Sequence, residues 1–395
     1  MIESALASGI TAMGVDVMLT GPIPTPAVAY LTKSMRADAG IMISASHNPY
    51  EDNGIKIFGA DGFKLADEFE IEVEKLFDSK DLKERSAKAS ALGKAVRIND
   101  AVGRYTVYLK SYFPRELSLE GMKVGFDCGN GACYIVAPQT CQELGAEVTA
   151  RGISPNGRNI NAGFGSLYPA VMQQLVSEQN LNIGISLDGD GDRAIFVDEK
   201  GEIHDGDTVL AICALDMKRR GVLRNNKVVG TVMSNLGLEK LFKLHDLELV
   251  RAAVGDRYVL EAMTKNGCNL GGEQSGHTIF TDFATTGDGI LSALAVMSVM
   301  CRTEKPLSEL AKDFIKFPQK LVNIEVLSKP SLDSVPSIKE IIKLKETELK
   351  NSGRILVRYS GTENKARVMV ECEDQNSCDK TANDIAEVIQ RELGT

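Results

Sequence analysis

Short apolar runs alternate with helix-forming segments along most of this chain, and this alternation restricts its fold more than any other feature. Residues 15–19 and 123–127 have the apolar character of strands, and helical patterns follow at 27–35 and 134–144. Repeated alternation of this kind is typical of α/β domains with largely parallel strands. The chain has 395 residues, and a prior of roughly 150 residues per domain predicts two to four domains.

The pattern changes after Pro306 and Pro318. Strands at 319–326, 353–359 and 366–372 and a helix at 378–393 predict a smaller α+β domain. We therefore predict three tandem α/β domains with mixed or parallel sheets, followed by this C-terminal domain. The expected boundaries lie near residues 98, 204 and 318, which gives the ranges 1–98, 99–204, 205–318 and 319–395.

Composition narrows the class of protein. The net charge of −9 argues against a nucleic-acid surface, so a phosphate site requires a local basic pocket. The eight cysteines are scattered without a C-x-x-C pair, which favours reduced core thiols in a cytosolic protein. The sequence shows no signal peptide and no window of ~18 uninterrupted apolar residues. We expect a cytoplasmic protein that is neither secreted nor bound to a membrane.

The segment S-A-S-H-N-P at 44–49 follows an apolar run at 40–44 and contains Ser46. Prolines at 22, 24 and 26 lack a backbone donor and fix φ, so residues 21–26 are predicted to be a rigid connector outside regular structure. Open α/β sheets bind ligands just past the ends of their strands. Ser46 is therefore expected at a ligand site.

Three aspartates alternate with glycines directly after the predicted strand 181–187. Carboxylates at i, i+2 and i+4 in an extended or looped backbone converge on one side. Hard oxygen ligands of this kind suit magnesium or calcium. The predicted metal ligands are Asp188, Asp190 and Asp192.

An EF-hand calcium loop is the obvious competitor, because the acidic start matches and Glu199 falls at its twelfth position. Its sixth position should be glycine, however, and here it is Arg193. The flanking segments 181–187 and 194–197 also have strand character rather than helical character. The pattern favours a catalytic magnesium loop over a calcium loop or a polar turn without metal.

Four side chains within or close to the serine and aspartate segments each have two possible interpretations. Ser46 is an ordinary loop serine or a carrier of a phosphoryl group, and a phosphoserine is a natural metal ligand. His47 is a local hydrogen-bonding residue or the partner of that serine. Lys56 is a surface lysine or a proton acceptor in a cationic site. Arg193 neutralises the aspartates or stabilises charge on a transferring phosphoryl group.

The segment R-Y-S-G-T-E at 358–363 follows a predicted strand and offers a guanidinium, hydroxyls and a glycine turn that can face an anion. Arg367 provides a second cation nearby, and an ordinary turn would not need this combination of side chains. The predicted phosphate-binding residues are Arg358, Ser360, Gly361, Thr362 and Arg367.

A second turn, at 271–277, is too rich in glycine for a helix. Its Glu273, Ser275 and His277 are suited to hydrogen-bonding sugar hydroxyls, and a plain loop is the alternative. The chain lacks the G-x-x-x-x-G-K-[ST] loop and a strand-linked G-x-G-x-x-G, so nucleotide use has no support. It also lacks a G-x-S-x-G elbow, which removes the usual hydrolase interpretation of Ser46.

These four segments, in this order, resemble the α-D-phosphohexomutase superfamily across essentially the whole chain. S-A-S-H-N-P with N-G-x-K is similar to its phosphoserine loop, D-G-D-G-D-R to its magnesium loop, G-E-x-S-G-H to its sugar loop and R-x-S-G-T-E to its phosphate loop. The resemblance implies a central active-site cleft. Gln274, with the segments at 21–26 and 285–289, favours the branch that acts on glucosamine phosphate over the mannose and glucose phosphate branches.

The resemblance also implies a mechanism. Phospho-Ser46 would donate its phosphoryl group to the sugar, and a bound sugar 1,6-bisphosphate would reorient and return its other phosphate. One Mg²⁺ per chain would be held by the three aspartates and the Ser46 phosphate, and a sugar 1,6-bisphosphate would prime the enzyme. Proton transfer is open among Lys56, His47 and His277. The partner is a small phosphosugar, with no nucleic acid and no membrane, and a homodimer is allowed.

Two departures from the superfamily pattern stand out. Tyr359 and Asn364 occupy positions where many relatives have proline. Relatives also begin with a further strand and a glycine-arginine loop, so we expect a first domain that is N-terminally truncated, with poor solubility or weak activity. The alternatives are a mutase for mannose or glucose phosphate, and a non-catalytic chain that still binds phosphosugars.

Overall fold

The computed structural model describes residues 1–77, 86–350, 352–360 and 363–394. Two compact units account for the chain. The first contains Met1–Met233 and Asp246–Lys312, and the second contains Ser234–His245 and Asp313–Thr395. The charged stretch at 78–88, whose sequence predicts a solvated helix face or loop, lies outside the described residues over 78–85.

The first hundred residues of the first unit form two small sheets. Strand β1 pairs with β4 in parallel, and β2 pairs with β3 in an antiparallel hairpin. Strand β3 was not predicted, and it places Lys56 beside the strand that leads to Ser46. The elements are α1 (Ile2–Ala12), β1 (Val17–Leu19), α2 (Thr25–Ser34), β2 (Ala39–Ser44), β3 (Gly54–Gly59), α3 (Asp67–Phe77) and β4 (Ala95–Arg97).

Helix α2 corrects one detail of the predicted connector. The helix begins at Thr25, so Pro26 lies in its first turn rather than outside regular structure. A proline is tolerated there because the first backbone N–H groups of a helix have no intrahelical acceptor, and its fixed φ suits the helix.

The next segment forms a five-stranded sheet in the order β6-β5-β7-β8-β9. The first three strands are parallel, whereas β8 and β9 are antiparallel to their neighbours. Every residue of β7 and β8 is buried, which explains their continuous apolar character. The elements are α4 (Ala101–Tyr112), β5 (Lys123–Asp127), α5 (Val136–Glu143), β6 (Glu147–Arg151), α6 (Ala170–Gln179), β7 (Ile183–Leu187), β8 (Ala194–Asp198) and β9 (Ile203–His204).

A four-stranded sheet follows, in the order β11-β10-β12-β13. Its last pair is antiparallel and the others are parallel. Helix α10 is buried over its first twelve residues, as its nearly uninterrupted apolar sequence requires. The elements are α7 (Gly206–Arg219), β10 (Lys227–Thr231), α8 (Leu236–Leu244), β11 (Glu248–Ala252), α9 (Asp256–Asn266), β12 (Leu270–Gly272), β13 (Thr278–Phe280), α10 (Gly289–Thr303) and α11 (Leu307–Ala311).

The second unit has an antiparallel three-stranded sheet in the order β14-β16-β15. Helix α13 begins at the side-chain cap of Asp374, which accepts from the Ser377 N–H, and it buries an apolar face that includes Ile385 and Ile389. Helix α8 belongs to this unit. The remaining elements are β14 (Gln319–Glu325), α12 (Pro336–Leu349), β15 (Gly353–Tyr359), β16 (Lys365–Cys372) and α13 (Gln375–Leu393).

The eight cysteines are unbonded, and seven of them are buried. Within the described residues, no helix combines the length and the apolar character needed to cross a membrane.

Candidate active site

The aspartate cluster lies in the turn between β7 and β8, in the first unit. Its three members are buried, and one ligand oxygen from each lies within 4.8 Å of the others. A tight hairpin turn at the end of a buried strand brings the alternate carboxylates together. The cluster consists of Asp188, Asp190 and Asp192.

Backbone hydrogen bonds from other segments hold this turn in place. Thr25 N donates to Asp190 O at 2.9 Å, Ala132 N to Gly189 O at 2.8 Å, and Gly289 N to Gly191 O at 2.9 Å. Gly191 also has φ +72°, and a Cβ there would lie 2.2 Å from the Cys133 sulfur. Both the conformation and the space require glycine at this position.

The two oxygens of each carboxylate differ in the hydrogen bonds that they accept. Asp190 Oδ2 accepts from Thr25 Oγ1 at 2.6 Å, from Ser44 Oγ at 2.8 Å and from Lys56 Nζ at 2.7 Å. Each carboxylate of the cluster has one buried oxygen for which the described residues provide no hydrogen-bond donor: Asp188 Oδ2, Asp190 Oδ1 and Asp192 Oδ1. One free oxygen per carboxylate is the donor set that suits a hard divalent cation.

The charges of the cluster are balanced asymmetrically. Burial, followed by the charges of Asp192 and Asp190, raises the pKa of Asp188 well above its ordinary value. Burial would also raise the pKa of Asp192, but Lys56 and His277 hold it well below its ordinary value. The surroundings thus shift the pKa values of Asp188 and Asp192 in opposite directions, and a bound cation would favour the ionised form of both.

Ser46 lies next to this turn, two residues past the end of β2. Its backbone N–H donates to Ser44 Oγ at 2.7 Å, and Ser44 Oγ in turn donates to Asp190. The two loops are in close contact, since a Cβ at Gly189 would lie 2.7 Å from Ser46 O. Ser46 Oγ is 3.3 Å from His47 Nδ1.

The predicted cationic or basic groups are His47, Lys56 and Arg193, and they differ in their neighbouring charges. Burial and then the charge of Arg193 lower the pKa of His47. Burial would lower the pKa of Lys56, but Asp192 and Asp190 raise it above its ordinary value, and Lys56 Nζ is 2.9 Å from Asp192 Oδ2. Arg193 Nε is 3.8 Å from Asp192 Oδ1.

The predicted sugar loop is the turn between β12 and β13. Glu273 Oε1 accepts from the Gly255 N–H at 2.9 Å, while Ser275 is exposed. His277 Nε2 accepts from the Gly287 N–H at 3.1 Å, and its Nδ1 is 3.8 Å from Asp192 Oδ2. Burial would lower the pKa of His277, but Asp192 raises it.

The predicted phosphate loop lies in the second unit, at the end of β15. Arg358 and Arg367 are paired across β15 and β16, and burial and then the charge of Arg367 lower the pKa of Arg358. Arg367 Nη2 is 3.4 Å from Ser360 Oγ, and Lys329 Nζ donates to Ser360 O at 2.9 Å. Gly361 and Thr362 lie outside the described residues.

Sequence reasoning missed several side chains of the first unit's site. Ser44 carried a usable signal, since residues two apart in a strand share one side and Ser44 precedes Ser46 by two. Thr25 carried no such signal, because its partner Asp190 is 165 positions away. Asn161, whose amide donates to Ser46 O and Asn48 O, carried none either.

Comparisons with known proteins find matches along the whole chain. Family models for phosphoglucomutase/phosphomannomutase match its α/β/α domains I, II and III at residues 1–84, 104–201 and 205–317, and the C-terminal domain at 321–388. The phosphoglucosamine mutase of Syntrophotalea carbinolica is 53% identical over 394 residues, which cover 100% of this chain and 86% of that protein. That of Geobacter metallireducens is 54% identical over 100% of this chain and 87% of its own length. The chain belongs to the phosphoglucosamine mutases.

Solved structures of other phosphohexomutases share the fold of this phosphoglucosamine mutase chain. A phosphoglucomutase/phosphomannomutase family protein from Burkholderia thailandensis has a TM-score of 0.78 at 20% identity and covers 100% of this chain and 88% of its own. An N-acetylphosphoglucosamine mutase from Aspergillus fumigatus, solved with GlcNAc-6P and magnesium, has a TM-score of 0.68 at 19% identity and covers 99% of this chain and 94% of its own. The prediction of a phosphohexomutase with four α/β and α+β domains is confirmed.

Proposed function

We propose that this chain interconverts glucosamine 6-phosphate and glucosamine 1-phosphate through a phosphorylated Ser46, supplying UDP-N-acetylglucosamine synthesis. The observation that carries the proposal is the set of three buried carboxylate oxygens, free of hydrogen bonds among the described residues, beside the Ser46 loop. The names of the relatives indicate which sugar phosphate is the substrate. The free oxygens supply a reason for a phosphoserine, which brings the further oxygens that a divalent cation requires.

The ion that fits this donor set is Mg²⁺, held by the carboxylates of Asp188, Asp190 and Asp192 and by the Ser46 phosphate. When bound, it neutralises charge on the transferring phosphoryl group. Lys56 and Arg193 add fixed positive charge next to the same carboxylates. Thr25 and Ser44 orient Asp190 by donating to its second oxygen.

The reaction has two phosphoryl transfers. The bond between phosphorus and Ser46 Oγ breaks as the sugar O1 of glucosamine 6-phosphate attacks, which gives a 1,6-bisphosphate. After the bisphosphate reorients, Ser46 Oγ attacks the 6-phosphate, and glucosamine 1-phosphate is released from a rephosphorylated enzyme. The proton of the sugar hydroxyl passes to His47 or His277 and returns to the product hydroxyl. Burial would lower the pKa of Lys56, but its pairs with Asp192 and Asp190 raise that pKa above the ordinary value, so Lys56 stays a cation. A sugar 1,6-bisphosphate primes enzyme that has lost its phosphate.

Each of the four predicted segments has one task in this scheme. Residues 1–98 carry the phosphoserine, 99–204 the magnesium loop, 205–318 the sugar loop, and 319–395 the loop for the phosphate that is not reacting. Glu273, Ser275 and His277 hold the sugar. The register pairing of Arg358 with Arg367 supports the role of the last domain, because it brings two cations together and, after burial, the charge of Arg367 lowers the pKa of Arg358. Arg367 Nη2 also lies 3.0 Å from Glu363 Oε2. The proposed phosphate ligands are Arg358, Ser360, Gly361, Thr362 and Arg367.

The test compares unmodified protein with Ser46→Ala and with the control Ser34→Ala, which changes an exposed serine of α2. Each protein is primed with glucose 1,6-bisphosphate, analysed by intact mass and assayed with the 6-phosphates of glucosamine, mannose and glucose. We expect phosphate on Ser46, a preference for glucosamine 6-phosphate, and loss of activity in Ser46→Ala alone.

Equal activity of Ser46→Ala and unmodified protein would rule out the phosphoserine. A preference for mannose or glucose 6-phosphate would reassign the substrate. Binding of sugar phosphate without turnover, even after priming, would identify a non-catalytic chain.

A further inference from the structure

Ser46 adopts a backbone conformation that serine rarely holds. Its φ is +51°, in the left-handed region that disfavours a side chain. Such a conformation persists at a functional site only where the surrounding structure imposes it. The contacts that impose it therefore also set the position of the Ser46 hydroxyl.

One buried amide contacts the serine loop on two sides. Asn161 Nδ2 donates to Ser46 O and to Asn48 O, each at 2.8 Å. Both N–H groups of a single amide are thus directed at two carbonyls that lie two residues apart. Asn161 is 7% exposed, and its own φ of +57° is also left-handed.

Asn161 is itself anchored to the sheet that carries the aspartates, far from the serine loop in sequence. Its backbone N–H donates to Gly129 O at 2.8 Å, just past the end of β5. The buried carboxylate of Asp127 fixes this region by accepting from Gly129 N at 2.9 Å and from Gly165 N at 2.7 Å. The Asn161 amide is therefore presented from a rigid base, because β5 pairs directly with β7, the strand that leads to Asp188.

We propose that Asn161 is a positioning residue for phosphoryl transfer at Ser46. Its amide holds the carbonyls of Ser46 and Asn48, keeps the loop in its left-handed conformation and fixes the Ser46 hydroxyl relative to the aspartate turn. The proposal rests on the proposed function of Ser46, and it adds a residue that does not touch the reacting atoms. A hydroxyl free to move away from the cation and the sugar would lose the alignment on which the transfer depends.

Two variants separate the amide from the backbone. Asn161→Asp keeps the side-chain shape but replaces the amide nitrogen, which carries both donors, by a carboxylate oxygen that faces the two carbonyls. Asn161→Gly keeps the left-handed backbone and removes the amide. The matched control is Asn130→Asp, because Asn130 is 8% exposed, has φ +49° and donates to Asn159 O rather than to the serine loop.

Three quantities are measured on the full chain. They are kcat and KM for glucosamine 6-phosphate, the rate at which glucose 1,6-bisphosphate phosphorylates Ser46, and hydrogen exchange of a peptide covering 44–50. For both Asn161 variants we expect kcat and the phosphorylation rate to fall roughly tenfold to a hundredfold, with KM within about twofold and faster exchange confined to 44–50. Asn130→Asp is expected to match unmodified protein in all three.

Unchanged kcat and unchanged exchange at 44–50 in both Asn161 variants would overturn the proposal. An equal loss in Asn130→Asp, or faster exchange throughout the chain, would also overturn it, since the effect would then be one of general stability. If unmodified protein neither turns over nor gains phosphate, the proposed function fails by itself. The exchange of 44–50 then still decides whether Asn161 holds the loop.

Discussion

At the scale of single residues, hydroxyl groups contact the charged Asp190, and an amide contacts the backbone of the Ser46 loop. Ser44 is the clearest case, because its hydroxyl accepts from the Ser46 N–H and donates to Asp190 Oδ2. Within the described residues, it is the one side chain whose hydrogen bonds directly join the Ser46 loop to a proposed metal ligand. Groups that orient metal ligands commonly affect metal affinity and activity as strongly as some ligands do.

Ser44→Ala tests this link. The change removes both hydrogen bonds and leaves the Ser46 N–H without that acceptor, so we expect kcat to fall roughly tenfold and the Mg²⁺ concentration for half-maximal activity to rise by a similar factor. Ser44→Thr keeps the hydroxyl and is the control, with activity within a few-fold of unmodified protein. A Ser44→Ala enzyme with unchanged Mg²⁺ dependence would show that the bridge has no role in the metal site.

Whether a site residue could be predicted depends on how far away along the chain its partner lies. The three aspartates were predictable because alternate residues of one short turn share a side, and that geometry is local. Thr25 and Asn161 were not, because their partners Asp190 and Ser46 are 165 and 115 positions away. Nothing in the local sequence marks a threonine at a helix start, or an asparagine in a loop, as part of a distant site.

At the scale of elements, helix α10 begins on a buried carboxylate. Asp288 accepts from the N–H groups of Ile290 and Leu291 and from the hydroxyl of Tyr105, which belongs to α4. Burial raises the pKa of Asp288 to about 6, despite these hydrogen bonds. The cap therefore connects two helices and depends on pH.

The sign of that dependence follows from linkage. Because the folded pKa lies above the ordinary value of 3.8, folding favours the protonated carboxyl, and this contribution is complete below about pH 4 and lost as the pH rises through 6. Between these pH values, the free energy of unfolding of unmodified protein, measured in urea, should fall on the order of 3 kcal/mol from this group. Asp288→Asn should not show this fall.

The control for Asp288 is another N-cap, Asp374→Asn. Hydrogen bonds from Ser377 lower the pKa of this exposed carboxyl. Its contribution is therefore present above its ordinary pKa and lost as the pH falls, which is the opposite sign. Identical pH profiles for Asp288→Asn and unmodified protein would contradict the assignment.

Glu371 links elements of the second unit. It is fully buried on β16, pairs with Arg354 of β15 at 2.8 Å and accepts from Leu236 N at the start of α8. Glu371→Gln is expected to lower the free energy of unfolding of this unit by about 3–5 kcal/mol, since it leaves a largely buried guanidinium without its charge partner. The control is Glu373→Gln, which breaks an exposed pair with Lys240 and should cost about 1 kcal/mol or less. Equal effects of the two variants in chemical denaturation would refute the role of Glu371.

The elements themselves were predicted well where periodicity decides them. Strands β5 and β15 have the predicted bounds. The β3 strand and the antiparallel pairing of β7 with β8 were not predicted. Apolar runs reveal that a strand is buried, but they do not specify its partner or its direction.

At the scale of the whole molecule, the site of the first unit is assembled from segments that only the fold brings together. Asp190 Oδ2 contacts side chains 165, 146 and 134 positions away. The order of motifs along the chain was sufficient for the family, and the relatives confirm it. The hydrogen bonds that position the motifs required the structure.

The most direct measurement of the central claim follows phosphate from the enzyme to the sugar. Protein labelled with ³²P at Ser46 is mixed with an excess of unlabelled glucosamine 6-phosphate and Mg²⁺, quenched at short times and separated into protein and sugar fractions. Our account predicts that the label leaves the protein within one turnover and appears first in the 1,6-bisphosphate and then in glucosamine 1-phosphate. Label that stays on the protein while glucosamine 1-phosphate accumulates would contradict it.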